Sequence, residues 1–364
     1  MKKVLIDARE SGTSTGRYID KLIEYLIKIN KQYEILILTK PNRIEYFQKF
    51  SNDVQIIEST YKEFTLGEQI GLKRQIEKIK PDLVHFGIVQ QPILYKGKVV
   101  TTMHDLTTTR FNNPLKNKYL YTFKQYIYKW VNRIVALKSN YIIAISEYVK
   151  NDVAKFARIN SRKIIVIYEA ADKIPEHPIE INYLINQPFI MYVGRPQPHK
   201  NLYRLITAFS KLKKENSELK LILVGKKDAL YSQLENWVNI QGIKNVYFTG
   251  FIEDSQLRWL YENCIAYVFP SLSEGFGLPG LEAMIHGAPV ISSNATCLPE
   301  IYGDAALYFD PLNVNDMTIS IKRVVTDIGL RKELVKKGYV QVAKYSWRKT
   351  AEQTISVYDS ILNK

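Results

Sequence analysis

Short runs of β-branched and aliphatic residues alternate with longer stretches whose apolar positions recur at helical spacing, and the alternation runs from end to end of the chain. This predicts an α/β protein built on parallel sheets. The expected strands are Val4–Asp7, Glu34–Leu38, Val54–Ile57, Leu83–Phe86, Val99–Met103, Tyr141–Ile145 and Ile164–Tyr168. A second set follows at Phe189–Val193, Leu219–Val224, Val246–Thr249, Ala266–Phe269, Pro289–Ser292 and Ala306–Phe309. Between the sets, Ala171–Pro188 carries Pro175, Pro178 and Pro188 with little periodicity and reads as a linker. Each half repeats strand, turn and helix, so two facing Rossmann-like domains are expected, with ligands bound at the carboxyl ends of the strands in a cleft between them. The boundaries predicted are residues 1–175, a linker over 176–187, a second domain over 188–345 and a closing helix in 346–364. That helix places Trp347, Ala351, Ile355, Tyr358 and Ile361/Leu362 on one face, with Ser346 positioned to cap its start.

Composition narrows the class. A length of 364 residues exceeds what one hydrophobic core normally fills, and 46% hydrophobic with 24% charged residues is the balance of a globular protein, not a disordered or fibrous one. The net charge of +15 favours polyanions, nucleotide phosphates or an acidic membrane face as partners. Two cysteines, Cys264 and Cys297, are too few for a disulfide scaffold and lack metal-ligand spacing, which points to a reducing cytoplasm. The opening residues reach Asp7 too soon for a signal peptide, and no window approaches the length of a membrane span.

The most informative stretch is P-S-L-S-E-G-F-G-L-P-G-L-E-A-M, Pro270–Met284. A glycine-rich turn follows an apolar strand and leads into a helix with Pro279 near its first turn. Glycines admit close approach of backbone N–H groups and the helix N-terminus adds partial positive charge, so the turn is suited to a phosphate. Glu274 and Glu282 are placed to accept hydrogen bonds from sugar hydroxyls. The plainer alternative is that Glu282 complements a helix dipole while glycine and proline only punctuate a turn.

The Glu274-to-Glu282 spacing, followed by H-G-A-P-V-I and L-P-E-I-Y-G-D-A-A, resembles the nucleotide-sugar site of retaining glycosyltransferases of family 4, whose two-domain architecture is the GT-B fold. I-D-A-R…T-G-R-Y (Ile6–Tyr18), T-M-H-D-L (Thr102–Leu106), A-I-S-E-Y-V (Ala144–Val149) and Y-V-G-R-P-Q-P-H-K-N-L (Tyr192–Leu202) extend the likeness over nearly the whole chain, nearest to the mannosyltransferase-like branch. The resemblance implies that Arg195 and Lys200 grip the donor diphosphate, where negative charge grows in the transition state. Without it, both residues would read as a solvated basic loop. It further implies that Glu282 binds the ribose, that Glu274 meets the transferred sugar, and that the backbone of Gly275, Phe276, Gly277 and Leu278 lies near sugar and phosphates. Gly225 and Phe251 are assigned to the base, and Gly12 and Gly16 to the diphosphate. His199 stands where relatives often have Arg, which puts that Arg's contact in doubt. His104 is expected as a neutral imidazole donating to a sugar hydroxyl, or acting through its backbone carbonyl on the oxocarbenium-like centre. Asp105 instead suits capping of the next turn. The closing helix is expected to dock back across the first domain. No carboxylate stands out as a covalent nucleophile, and with no D-x-D motif no metal is expected.

Arg110–Lys138 contains seven basic residues and no acid. At helical spacing Leu120, Phe123, Ile127, Trp130, Val131 and Ile134 form an apolar stripe expected to be core. Lys118, Tyr121, Tyr128, Lys129 and Arg133 then form the opposite face, a candidate acceptor-side surface for an anionic membrane or simply a solvated face. The sum of these readings is a cytoplasmic retaining hexosyltransferase, peripheral on the inner membrane face. It moves a hexose, mannose favoured, from a nucleotide diphosphate sugar (GDP-mannose first, then UDP-glucose or UDP-N-acetylglucosamine) to a saccharide or lipid-linked saccharide, without a cofactor. A dinucleotide oxidoreductase lacks its glycine fingerprint. A non-catalytic sugar-nucleotide or polyanion binder is the remaining alternative, although no nucleic-acid recognition motif is present.

Overall fold

A computed structural model describes residues 1–13, 15–111, 118–212 and 218–363, the side chains of 118–120 excepted. The chain divides into two compact units: Met1–Thr109 with Thr122–Glu169 and Ser346–Lys364, and Arg110–Tyr121 with Ala170–Tyr345.

The first unit contains a parallel sheet of β1 (Lys2–Asp7), β2 (Tyr33–Thr39), β3 (Val54–Glu58), β4 (Leu83–Phe86), β5 (Val99–Met103), β6 (Tyr141–Ala144) and β7 (Ile164–Val166), in the order β3-β2-β1-β4-β5-β6-β7. The second contains β8 (Phe189–Val193), β9 (Lys220–Val224), β10 (Val246–Gly250), β11 (Ala266–Phe269), β12 (Val290–Ser293) and β13 (Ala306–Phe309), in the order β10-β9-β8-β11-β12-β13. Every expected strand is present, each within two residues of its predicted ends. Val4, Leu5 and Ile6, like Ile190, Met191 and Tyr192, are buried completely, because helices cover both faces of a doubly wound sheet. Each aliphatic side chain so buried contributes about 1.5–3 kcal/mol. Strand order reverses beside β1 in the first sheet and beside β8 in the second, and the loops leaving these strands diverge there to leave room for a ligand.

The closing helix, Trp347–Leu362, belongs to the first unit. It buries Trp347, Ala351, Val357, Tyr358, Ile361 and Leu362. The Tyr358 hydroxyl meets Nδ1 of buried His85 at 2.6 Å, and Thr350 donates to the Tyr168 carbonyl at 2.7 Å. Ser346 holds the extended N-cap conformation, but its side chain makes no capping bond.

The helix Lys118–Lys138 is a correction. Phe123, Ile127 and Trp130, expected in the core, are 63%, 43% and 54% exposed. The inward side instead carries Tyr128, Asn132, Val135, Ala136 and Ser139. Most of its polar atoms have partners: Asn132 donates to the Tyr128 carbonyl at 2.7 Å, although its buried Oδ1 has none among the described residues, and Ser139 bonds the Thr101 hydroxyl at 2.8 Å. A buried polar group with a partner costs little, so nothing obliges the most apolar stripe to face inward. Tyr121 and Tyr128 are consequently half-buried rather than on the outer face, where Lys124, Lys129 and Arg133 stand with Tyr126 and Trp130. The Lys118 side chain lies outside the described residues.

Candidate functional site

In the second unit, Arg195, Lys200, Gly225, Phe251 and the 270–278 turn follow β8, β9, β10 and β11, neighbours in one parallel sheet. They therefore share its carboxyl edge. After β8 the chain turns through Gly194 and a short 3-10 turn, Pro198–Lys200, ending on Asn201 in the left-handed region at φ 60°. Buried Asn201 donates to the carbonyls of Pro270 and Pro311 at 3.0 and 2.8 Å, and Leu272 N–H donates to the His199 carbonyl at 2.7 Å. The Pro270 and Leu272 bonds fasten the β8 loop to the β11 loop, and the Pro311 bond ties it to the loop after β13. Lys200 Nζ accordingly lies 2.6 Å from Glu274 Oε1, with both side chains mostly buried, and 5.5 Å from the Phe269 ring centroid.

The glycine turn is built for close approach. Gly277 takes φ 98°, and the Tyr302 hydroxyl donates to its carbonyl, occupying the space a Cβ would need. Gly277 then leads into the helix Leu278–Ile285. Glu274 is held through its backbone N–H, which donates to the Thr296 hydroxyl at 3.1 Å. Phe276 is buried edge-on against Tyr345. Gly225 has a different reason to be glycine, since a Cβ would lie 2.6 Å from the Gly194 carbonyl oxygen. Glu282 sits in the helix after the turn, with the Tyr261 hydroxyl 3.5 Å from its carboxylate. Arg195 is 64% exposed and paired with Asp228 at 2.6 Å, while Phe251 is exposed. Beside Lys200, His199 has its pKa pushed down to about 4 by burial and by the lysine's charge. It is therefore neutral and does not replace the charge of an arginine.

In the first unit, Gly12 takes φ 78° and its N–H donates to Asp20 at 3.1 Å, while a Cβ on Gly16 would meet the Glu10 carbonyl oxygen at 1.7 Å. Both glycines shape the loop between β1 and the helix Gly16–Ile29. Beneath that loop, buried Arg9 bonds Asp7 at 2.8 Å and Glu68 at 3.0 Å. His104 follows β5, its Nδ1 3.1 Å from Glu169 Oε1 and its Nε2 2.9 Å from the Gly87 carbonyl oxygen. Protein groups thus occupy both ring nitrogens, and the ring donor expected for a sugar hydroxyl is already engaged. Asp105 accepts from Thr107 N–H at 2.7 Å and caps the turn Thr107–Thr109.

Sequence reasoning did not single out Asn201, Asp228, Glu169, Thr296 or Tyr302. Asn201, in the quoted H-K-N-L, was the one with a local signal, since Asn tolerates the left-handed region. Among the described residues no group of three or more His, Cys, Asp or Glu side chains is arranged to hold a metal ion, and no helix is long and apolar enough to cross a membrane.

Residues 15–173 match the family Glycosyltransferase Family 4, and residues 175–341 match Glycosyl transferases group 1. O-antigen chain mannosyltransferase B of Escherichia coli is 34% identical over 200 residues, 52% of this chain and 52% of that protein. The serotype-specific mannosyltransferase WbdA of Escherichia coli is 36% identical over 203 residues, 54% of this chain and 24% of that protein. The match thus spans about half the length of the first relative and about a quarter of the second. Sucrose-phosphate synthase from Thermosynechococcus elongatus shares the fold over 100% of both chains, with a TM-score of 0.79 and 19% identity. Anabaena HepE in complex with UDP and glucose does so over 99% of this chain and 100% of that one, at 0.75 and 15%. With two Rossmann-like parallel sheets and adjoining family matches that together run from residue 15 to residue 341, the chain belongs to the family 4 glycosyltransferases of the GT-B fold.

Proposed function

We propose that this chain is a retaining glycosyltransferase that moves a hexose, mannose first, from a nucleotide diphosphate sugar to a saccharide hydroxyl in the assembly of a cell-surface polysaccharide or glycolipid. The observation that carries the reading is the loop junction that sets Lys200 against Glu274 at the carboxyl edge of the second sheet, beside the glycine turn. On this reading Lys200 and Arg195 hold the diphosphate and gain strength as negative charge develops on it, because only interactions that tighten in the transition state speed the step. Glu274 turns between Lys200 and a sugar hydroxyl, the amides from Gly275 to Leu278 line the phosphates, Glu282 accepts from the ribose, and Gly225 and Phe251 bound the base. No carboxylate is assigned as a covalent nucleophile. Departure and attack occur on one face, with a donor phosphate oxygen taking the acceptor proton. No metal is required and no cofactor is assigned.

GDP-mannose is the favoured donor because the relatives with the higher identities are named mannosyltransferases. UDP-glucose and UDP-N-acetylglucosamine are the alternatives, and the likeness to a UDP-binding fold favours testing both. The first unit is assigned the acceptor. An anionic membrane on the cytoplasmic side is assigned as its working surface, on the strength of exposed Phe123, Tyr126, Ile127 and Trp130 beside Lys124, Lys129 and Arg133, with no acidic residue in the helix.

The test incubates the purified chain with each of the three donors, with and without a lipid-linked saccharide extract and with and without EDTA, and follows nucleoside diphosphate release. Acceptor-dependent release from GDP-mannose that persists in EDTA is expected. Tight donor binding without release would favour a non-catalytic sugar-nucleotide binder.

A further inference from the structure

His104 follows β5 and Glu169 follows β7, 65 residues apart in the chain, yet their side chains meet at 3.1 Å. The Gly87 carbonyl, 2.9 Å from Nε2, can only accept, so Nε2 carries a hydrogen. Nδ1 faces a carboxylate whose side chain is 5% exposed. Two states keep both bonds. Either the ring is an imidazolium facing a carboxylate, or it is a neutral Nε2–H imidazole accepting from a protonated Glu169. The two contain the same number of protons and differ in which residue is charged.

The surroundings decide between them. Asp105, next in the chain, adds a second negative charge that raises the His104 pKa. From β4, His85 brings no opposing charge, because burial holds its pKa near 3 and leaves it neutral. From the helix Gly16–Ile29, Tyr18 presents its ring edge-on at 5.0 Å between centroids, and burial pushes its hydroxyl far above neutral pH. Among the described residues, Glu169 and Asp105 are negative charges that raise the His104 pKa against the burial that lowers it.

We infer that Glu169 holds His104 as an imidazolium, which makes Glu169 a positioning residue that fixes a positive charge at the carboxyl end of β5. Both ring hydrogens are spent on Glu169 and Gly87, so His104 is neither a base nor a free ring donor. What it offers is charge and a rigid backbone turn. Burial disfavours the imidazolium, but the hydrogen bond and charge of Glu169, with Gly87 and Asp105, outweigh it: the histidine stays protonated above its ordinary value, and its charge disappears as pH rises through that raised pKa.

The experiment uses the full chain labelled with 15N-histidine, with the five histidines told apart by a His104→Gln variant. At pH 7 both His104 ring nitrogens should report as protonated in the wild type, and Glu169→Gln should return one to the unprotonated position. An unprotonated Nδ1 in the wild type at pH 7 would show a neutral ring and overturn the inference, with no variant needed. A second arm rests on the proposed transfer activity. The alkaline limb of the nucleotide-release profile should move to lower pH in Glu169→Gln and return in Glu169→Asp. A loss of rate equal at every pH would reduce Glu169 to a merely structural role. If no donor is turned over by the wild type, the transfer reading fails while the spectra still decide the charge.

Discussion

Lys200 Nζ lies 2.6 Å from Glu274 Oε1, a contact between residues 74 apart in the chain. The contact exists because Asn201, next to Lys200, bonds the Pro270 backbone on the other loop. On the proposed function, a cation and a carboxylate so paired would part around a phosphate and a hydroxyl without first being desolvated.

Removal of either partner leaves a mostly buried charge alone. Lys200→Ala and Glu274→Ala are each expected to cost about 2 kcal/mol of stability, whereas the double variant Lys200→Met/Glu274→Gln recovers most of it. Nucleotide release should stay at least about 100-fold down in all three. Thermal denaturation beside turnover separates the effects, and near-normal turnover in Lys200→Ala would remove this lysine from the site.

Asp228 has two tasks: it pairs with Arg195 and caps the helix Ala229–Ile240 by accepting from Tyr231 N–H at 3.0 Å. The pair is largely exposed and adds little to stability, while a lost cap costs about 1 kcal/mol. Asp228→Ala should therefore lower the unfolding free energy by about that amount and Asp228→Ser should not. Equal losses in denaturant titration would show that the ion pair matters more than the cap.

The outer side of Lys118–Lys138 is expected to bind vesicles rich in phosphatidylglycerol. Phe123→Ser/Trp130→Ser should reduce co-sedimentation by about tenfold with the melting temperature unchanged, since both side chains are largely in solvent. Tyr128→Ser should do the reverse, lowering stability because that ring is packed inward. Unchanged partition of the double variant would sink the membrane reading.

Acid should weaken the first unit through His85. Its pKa is near 3 in the folded chain because burial against Tyr358 and Thr102 excludes the charged form, while in the unfolded chain it is ordinary. As pH falls below about 6.5 the unfolded state takes up a proton that the folded state refuses, so stability declines by about 2 kcal/mol between pH 6.5 and 5. His104 acts oppositely: its raised pKa adds stability that is complete in acid and lost as pH rises through the folded value. His85→Gln should flatten the acid slope in thermal denaturation. An unchanged slope would mean that other groups set it.

The strands and the two sheets were legible because a strand buried on both faces must be apolar throughout, and that requirement is written in consecutive residues such as Val4–Ile6 and Ile190–Tyr192. The glycine turn at 275–277 was legible for a similar reason, since Gly277 takes φ 98° where a Cβ would meet the Tyr302 hydroxyl. The outward side of Lys118–Lys138 was not, because the Asn132 amide bonds its own helix and Ser139 the Thr101 hydroxyl, and no periodicity records that. The same holds for the neighbours of His104: a ring after a strand is visible in the chain, but its carboxylate arrives from 65 residues away.

By itself, then, the sequence determined the alternation of strands and helices, the positions of the special turns and the family, all of which depend on residues close together in the chain. Only the tertiary structure decided which charges are paired, which face of the basic helix is wet and which groups meet the His104 ring. Those outcomes turn on electrostatics and desolvation between groups that folding alone makes neighbours.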